Sequence, residues 1–440
     1  MIINDFFNML SDFYEKNNGY GLLHLFVFDN SNVGVNLLQK ELRQLEIVDF
    51  AEESQKRFGT SKNFSEFVMA YLDFLKNVDF SNLELFYKLY SHVFLQFTNA
   101  FSHVNSTWLT PLVKYMSSIL VKLSIQLDDI TCNPHQSATN ESSRAVFRLF
   151  NIILNDRHSF PDSKRTAALY VANLLLRLYF KLNQTRLCQI ISANITSSGV
   201  EFSFYPISER IGFSYYLGRY NLYQQQISRA RGHLLFAFDN CLSISYKNKR
   251  LILIYLTTAS IILGIFPSDE LLLKYHLFQY FSPIISSLIK GDHRKFSEHI
   301  NHNFIRSWLL KKQIFLTIRD HCEILLWRSL FRRSFLITRD PLQKPPRIKL
   351  EDLLIAARWA KNDDTYDLLD IECICISLLD QVLSFYFMYY SNIIKNYLQA
   401  YILHASKLLV LKRDNTHGFQ KISNVKALQA AHDDDVTFGW

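Results

Sequence analysis

Along the first 130 residues the apolar positions come in blocks with helical spacing. Runs from Glu66 to Lys76, from Leu83 to Ala100 and from Leu112 to Leu127 predict three helices. The next stretch, Asp128 to Ser143, is polar and carries Asn133, Pro134, Ser137, Thr139, Asn140 and Ser142; it predicts a linker. From Arg144 the pattern sharpens. Asp162 or Ser163 can cap a helix whose apolar stripe is Ala168, Val171, Leu175, Leu178 and Leu182, ending at Asn183. In the following pair of helices, Gly218 precedes Ala230 by twelve residues and Ala237 by nineteen, with Leu234 between. Small residues at those offsets let the two helices of a tetratricopeptide-type hairpin touch closely, so Tyr215, Tyr216, Gly218, Ala230 and Ala237 are expected in the packing. Hairpins of this kind bury their second face only against neighbours.

The stop and start signals continue. Gly264 ends a helix, Ser268 can cap the next with Asp269 and Glu270 in its first turn, and Gly291-Asp292 repeats the device before His293 to Phe304. A long amphipathic helix is predicted from about Gln313 to Ile337, and the prolines between Asp340 and Pro346 must end it. There the period changes. Arg347 to Leu350 alternates like a strand, Glu351 to Trp359 and Leu368 to Leu379 read as helices, and Leu398 to Leu403 and Lys407 to Leu411 read as strands around His404-Ala-Ser406. Strand, helix, helix and a two-stranded ribbon is the order of a winged helix. The expected fold is therefore all-α, with α+β character at the C-terminus: a TPR-like helical-repeat solenoid closed by a winged-helix domain.

Composition agrees with helices. Twelve glycines and nine prolines are about 5% of 440 residues, against about 12% in average usage, too few for the turns of an all-β fold. With 49% hydrophobic and 20% charged residues, wholesale disorder is excluded. The most apolar segment, Leu251 to Phe266, follows Lys247 to Arg250 and imitates a membrane span with a positive flank. Its sixteen residues would rise about 24 Å, short of a hydrocarbon core of about 30 Å, and they include Thr257, Thr258 and Ser260. A helix buried on all sides is expected instead, and no membrane partner. Met1 to Leu10 carries Asp5 ahead of any basic residue, so a secretory signal is not expected, nor is a lipid anchor at the end. The six cysteines, Cys132, Cys188, Cys241, Cys322, Cys373 and Cys375, read as buried free thiols, with Cys373 and Cys375 on different faces of one helix.

Charge is unevenly placed. The net is +8, but Glu201 to Leu350 holds 22 Lys/Arg against 10 Asp/Glu, which leaves about −4 for the rest. That segment points to an anionic partner. On the long helix Arg328 and Arg332 are four apart with Arg333 adjacent, a spacing at which like charges cost a few tenths of a kcal/mol. With Arg339, Lys344, Arg347 and Lys349 following, and Lys412 and Arg413 at the wing, these side chains suit phosphate neutralisation if they face one groove. The candidate nucleic-acid contacts are thus Arg328, Arg332, Arg333, Arg347, Lys349, Lys412 and Arg413. The same residues also read as a solvated face or as a socket for an acidic protein. The expected recognition helix, from Asp367, carries Asp367, Asp370 and Glu372 and no basic residue, so binding would be phosphate-led and weakly sequence-specific.

No nucleophile elbow, Walker loop, dinucleotide fingerprint, H-E-x-x-H or C-x-x-C occurs, so neither enzyme activity, cofactor nor small-molecule substrate is expected. His293, Glu298, His299 and His302 lie close in sequence, as do Asp363 and Asp364, and Asp433 to Asp435. They read as a polar helix surface, a solvated loop and an acidic tail rather than metal sites.

The blocks Tyr215 to Tyr220, His233 to Cys241, Lys247 to Leu256, Leu271 to His276 and Leu330 to Arg333 resemble PCI-domain proteins. More narrowly, they are similar to the family of the PCI subunit of the nuclear transcription-coupled mRNA-export complex and its signalosome-associated relative, the subunit-twelve family. The resemblance runs from about Arg144 to Arg413, and the blocks Leu154 to Arg157, Lys164-Arg165 and Phe180 to Asn183 lean toward the signalosome-associated branch. It implies an N-terminal helical region over 1–140, a helical-repeat part over 141–340, a winged helix over 341–420 and a polar tail over 421–440, with the PCI domain at about 205–415. It also implies a non-catalytic scaffold in the nucleus, with the cytoplasm as the alternative. Such a scaffold pairs with a second PCI-domain protein, is clasped by a small acidic disordered protein shared with the proteasome lid, and offers RNA or DNA a binding platform in mRNA processing and export. The competing implication is a protein-only adaptor of the signalosome or proteasome lid. Lys247, Lys249 and Arg250 then read either as a solvated loop or as a socket for acidic residues of the small partner. The segment 382–396 departs from the family pattern, as an insertion over the winged helix or as a translated intron.

Overall fold

In the computed structural model the described residues are 2–27, 33–44, 54–58, 61–103, 106–132, 137–340, 345–380, 398–412 and 419. The expected insertion at 382–396, the tail at 421–440, Lys344, Arg413 and Asp433 to Asp435 lie outside them. The chain divides into two compact units, one ending at Leu217 and one beginning at Gly218.

The first unit is helical. It holds α1 (Ile2–Glu15), α2 (Gly19–Phe26), α3 (Val33–Gln44), α4 (Lys62–Asn77), α5 (Leu83–Phe101), α6 (Thr110–Thr131), α7 (Ser137–Leu154), α8 (Ala168–Lys181), α9 (Leu187–Ser197) and most of α10 (Ile207–Tyr223). The three apolar runs become α4, α5 and α6. Asn82 caps α5 by accepting from the Leu85 N–H at 3.1 Å. The expected linker is corrected: α6 runs to Thr131 and α7 starts at Ser137. Asp128, buried on α6, accepts from the N–H groups of Ala138 at 3.3 Å and Thr139 at 2.8 Å. It therefore caps its neighbour, and the described residues of the polar run belong to two packed helices.

The block 154–165 also finds its reason here. Asp156 accepts from Ser163 Oγ at 2.8 Å, from the Lys164 N–H at 2.6 Å and from His158 Nδ1 at 2.6 Å. The Lys164 ammonium, buried, donates to the carbonyls of Phe101 at 2.7 Å and His103 at 2.6 Å. Ser163 caps a short 3-10 turn that leads into α8, where Ala168, Val171, Leu175 and Leu178 of the expected stripe are buried and Leu182, the C-cap, is half-buried.

The second unit continues with α11 (Ile227–Asn240), α12 (Tyr246–Ile262), α13 (Asp269–Lys274), α14 (Phe278–Lys290), α15 (His293–Asn301), α16 (Asn303–Lys311) and α17 (Phe315–Thr338). Helix α12 is the most apolar segment and is buried on every side from Ile252 to Ile262. Among the described residues no helix is long and apolar enough to cross a membrane. Ser268 and Asp292 cap α13 and α15 as expected. Gly291 ends α14 at φ +66°, where a Cβ would meet the Leu330 backbone nitrogen at 2.5 Å.

Beyond α17 come β1 (Arg347–Lys349), α18 (Leu350–Lys361), α19 (Leu368–Asp380), β2 (Ala400–Leu403) and β3 (Leu408–Leu411). The three strands form one antiparallel sheet in the order β1-β3-β2, with Ile348 opposite Leu409 and Tyr401 opposite Val410. Helical hairpins closed by a winged helix are the architecture that the change of period predicts.

Candidate functional site

The long helix α17 differs from the amphipathic element expected, because every residue from Leu325 to Phe331 is buried. Helices α12, α14 and α18 and strand β1 surround it, so its middle has no solvent face. Arg328 sits in that run at 3% exposure and is corrected as a groove-facing phosphate contact. Arg333 is exposed but donates to the Lys290 carbonyl at 2.8 Å, completing the carbonyl end of α14, where a cation is favoured. Arg332 is half-buried. The arginines therefore do not share one face. Arg347 and Lys349 lie on the side of β1 opposite the buried Ile348, and Lys412, exposed, follows β3.

The expected socket is partly engaged within the chain. Lys249 donates to the Cys241 carbonyl at 3.0 Å, with its ammonium 4.8 Å from the Phe238 ring centroid. Arg250 Nε donates to the Tyr275 carbonyl at 2.9 Å. Lys247 is exposed.

The histidines do not converge. His293 is buried with its ring centroid 4.2 Å from that of Trp327, His299 Nε2 lies 3.1 Å from the Tyr280 carbonyl, and His302 is exposed. Among the described residues no three His, Cys, Asp or Glu side chains are grouped to hold a metal ion. Asp363 is instead a turn former, accepting from Thr365. All six cysteines are free, but Cys132 and Cys373 are exposed, which corrects the expectation of burial for those two. Cys375 is buried on the opposite side of α19 from Cys373.

The feature that the sequence left unremarked is apolar. On α18, Ile355 and Trp359 are 68% and 70% exposed, one turn apart, on the side away from Leu353, Ala357 and Ala360. On α19, Leu369 and Ile376 flank Glu372 along one face, and Glu372 bonds His404 Nδ1 at 2.8 Å in the turn after β2. That contact ties α19 to the end of the edge strand β2, whose Tyr401 and Leu403 are also exposed. The signal was present as large apolar residues out of phase with the buried stripe of each helix.

The chain is similar to known proteins over most of its length. The chain is 39% identical over 442 residues to a PCI domain-containing protein of Schizosaccharomyces pombe, covering 97% of this chain and 96% of that one. It is 25% identical to PCI domain-containing protein 2 of Xenopus laevis, over 94% and 96% of the two chains. It is 26% identical to the protein CSN12 homolog of Neurospora crassa, over 62% and 60%. No family model matches the chain.

Proposed function

Because the chain belongs to the PCI domain-containing proteins, related to the signalosome subunit family, we propose that it is a scaffold subunit whose winged-helix end pairs with a second PCI-domain protein. PCI proteins commonly work as subunits of complexes with other PCI proteins. The observation that carries the reading is the exposure of Leu369 and Ile376 on α19, of Tyr401 and Leu403 on β2 and of Ile355 and Trp359 on α18. Side chains of that size exposed in one module mark a docking surface, and its burial supplies adhesion without any bond-making step.

On this reading the assembled pair, clasped by a small acidic protein at Lys247, Lys249 and Arg250, is a nuclear platform for RNA or DNA in transcription-coupled mRNA processing and export. The net +12 between Glu201 and Leu350 supports it, as do Arg332, Arg347, Lys349 and Lys412 outside the core. The test is the affinity of the assembled complex for a generic single-stranded RNA as salt is raised. Log affinity should fall linearly with log salt, by about 0.7 per phosphate contact. A second reading, a protein-only adaptor linked to the signalosome, is favoured by the burial of Arg328, the commitment of Arg333 to Lys290 and the CSN12 homolog among the relatives. It predicts no RNA retention at about 0.15 M salt, which is near-physiological screening.

A further inference from the structure

The first unit carries a cleft of about 640 Å³, within the size range of ligand sites, where α2, α6 and α10 begin. Tyr20 on α2, Trp108 in the 3-10 turn that opens α6, and Phe160 and Phe204 on two connecting segments line it, together with Pro111 and Pro206. Tyr20 and Phe204 are exposed, while Trp108 and Phe160 are half-buried. The aromatic walls are held in place. The Trp108 ring packs against Tyr14 at 5.7 Å between centroids and against Phe64 at 6.4 Å. Phe160 stacks on Phe204 at 5.1 Å, and the corner at Asp156 and Ser163 fixes the segment that carries Phe160.

Its polar groups are unevenly satisfied. Among the described residues the Trp108 indole N–H and the Tyr20 hydroxyl make no hydrogen bond, and an indole can only donate. The one cation of the lining, Lys114, is already held: its ammonium lies 2.5 Å from the buried carboxylate of Glu209. The one anion of the lining, Asp162, is exposed and stands in no ion pair among the described residues. The cleft therefore presents aromatic faces, free donors and a single uncompensated negative charge.

We propose that this cleft binds a proline-rich segment of a partner protein, in the polyproline II conformation and carrying one arginine or lysine. Such a segment has no internal hydrogen bonds, so its carbonyls are free, and proline has no N–H of its own to satisfy. Unpartnered donors are its complement. Proline rings pack on aromatic faces, and the stiff helix brings little ordering entropy to be lost on binding. The basic residue answers Asp162 by charge. An α-helix would bring carbonyls already bonded along its length, and a nucleotide would find no free cation for its phosphates. The cleft belongs to the first unit, so its failure leaves the scaffold reading intact.

The experiment is fluorescence anisotropy of a labelled peptide, an arginine followed by about ten prolines, titrated with the full chain at about 0.15 M salt. Saturation at one peptide per chain is expected. Trp108→Phe keeps the ring and removes the donor, and it should weaken binding about tenfold, as the loss of one hydrogen bond does. Tyr20→Ala, at an exposed position, should melt like the parent and weaken binding to a similar extent. If Trp108→Phe fails to fold, Tyr20→Ala serves in its place. Asp162→Asn should weaken the arginine peptide and leave a peptide of prolines alone unchanged. A peptide of the same length with glycine and serine in place of the prolines should not bind. Absence of binding, unchanged affinity in any folded variant, or equal binding of the glycine-serine peptide overturns the proposal. Displacement of the probe by single-stranded RNA or by an oligoglutamate also overturns it, in favour of an anion site.

Discussion

A Cβ on Gly218 would stand 2.5 Å from Leu234 Cγ and 3.2 Å from the Ala230 carbonyl oxygen. The hairpin closes at this point only because position 218 has no side chain. Gly218→Val should cost on the order of 2 kcal/mol by overpacking. Gly218→Ala should cost less, since alanine regains about 1 kcal/mol of helix propensity. Gly232, on the same helix as Leu234, has nothing within 4 Å of its Cβ position, so Gly232→Ala should stabilise by up to about 1 kcal/mol. Urea denaturation of the three variants checks the order.

Asp156 and Lys164 hold the corner before α8. Asp156→Ala leaves Ser163, His158 and the Lys164 N–H without their shared acceptor, and a loss of about 2 kcal/mol is expected. Lys164→Met removes the donor to the buried Phe101 carbonyl and to the part-buried His103 carbonyl and should cost a similar amount. Because both act on one junction, the double variant should lose less than the sum of the two, read from a double-mutant cycle.

Arg328 and Lys349 should separate cleanly. Arg328→Glu places a carboxylate inside the packed middle of α17 and should destabilise by 3 kcal/mol on the order of magnitude, visible as an early melt. Lys349→Glu and Lys412→Glu, at exposed positions, should leave the melt within about 0.5 kcal/mol of the parent. RNA affinity measured on the intact charge reversals should fall if the platform reading holds.

Acid should weaken the second unit. Burial, with Lys361 nearby, pushes the His293 imidazole down to about 3, and burial with Arg229 pushes His233 down to about 4. Protonation therefore favours the unfolded chain, where the value is near 6.5. The stability these neutral rings carry is full above about pH 6.5 and is lost as pH falls toward the folded values. Melting temperature should drop between about pH 7 and about pH 5, and His293→Phe should flatten that slope.

The winged helix was legible because its period changes within a few residues after the prolines, and strands β1, β2 and β3 fall where alternation places them. The hairpin contact at Gly218 was legible because a small residue has few reasons to recur at those offsets. The corner at Asp128 was not, since Ser, Thr and Asn read as turn formers whether they face water or cap a buried helix. The burial of Arg328 was hidden for a different reason: four-residue spacing gives the face of a helix, and only the neighbours decide whether that face meets solvent. The helices α1, α2 and α3 fall in the region expected to be helical, but no apolar run was picked out there to give their bounds.

Docking through the winged-helix end is tested most directly by tagging the full chain in its own cells and identifying what co-purifies by mass spectrometry. The parent is compared with Ile355→Asp, Trp359→Asp and Leu403→Asp, each first shown to melt like the parent. A second PCI-domain protein recovered near one to one with the parent, and lost from the three variants, is the predicted result. Recovery of the same partner at the same level by all four chains would contradict it.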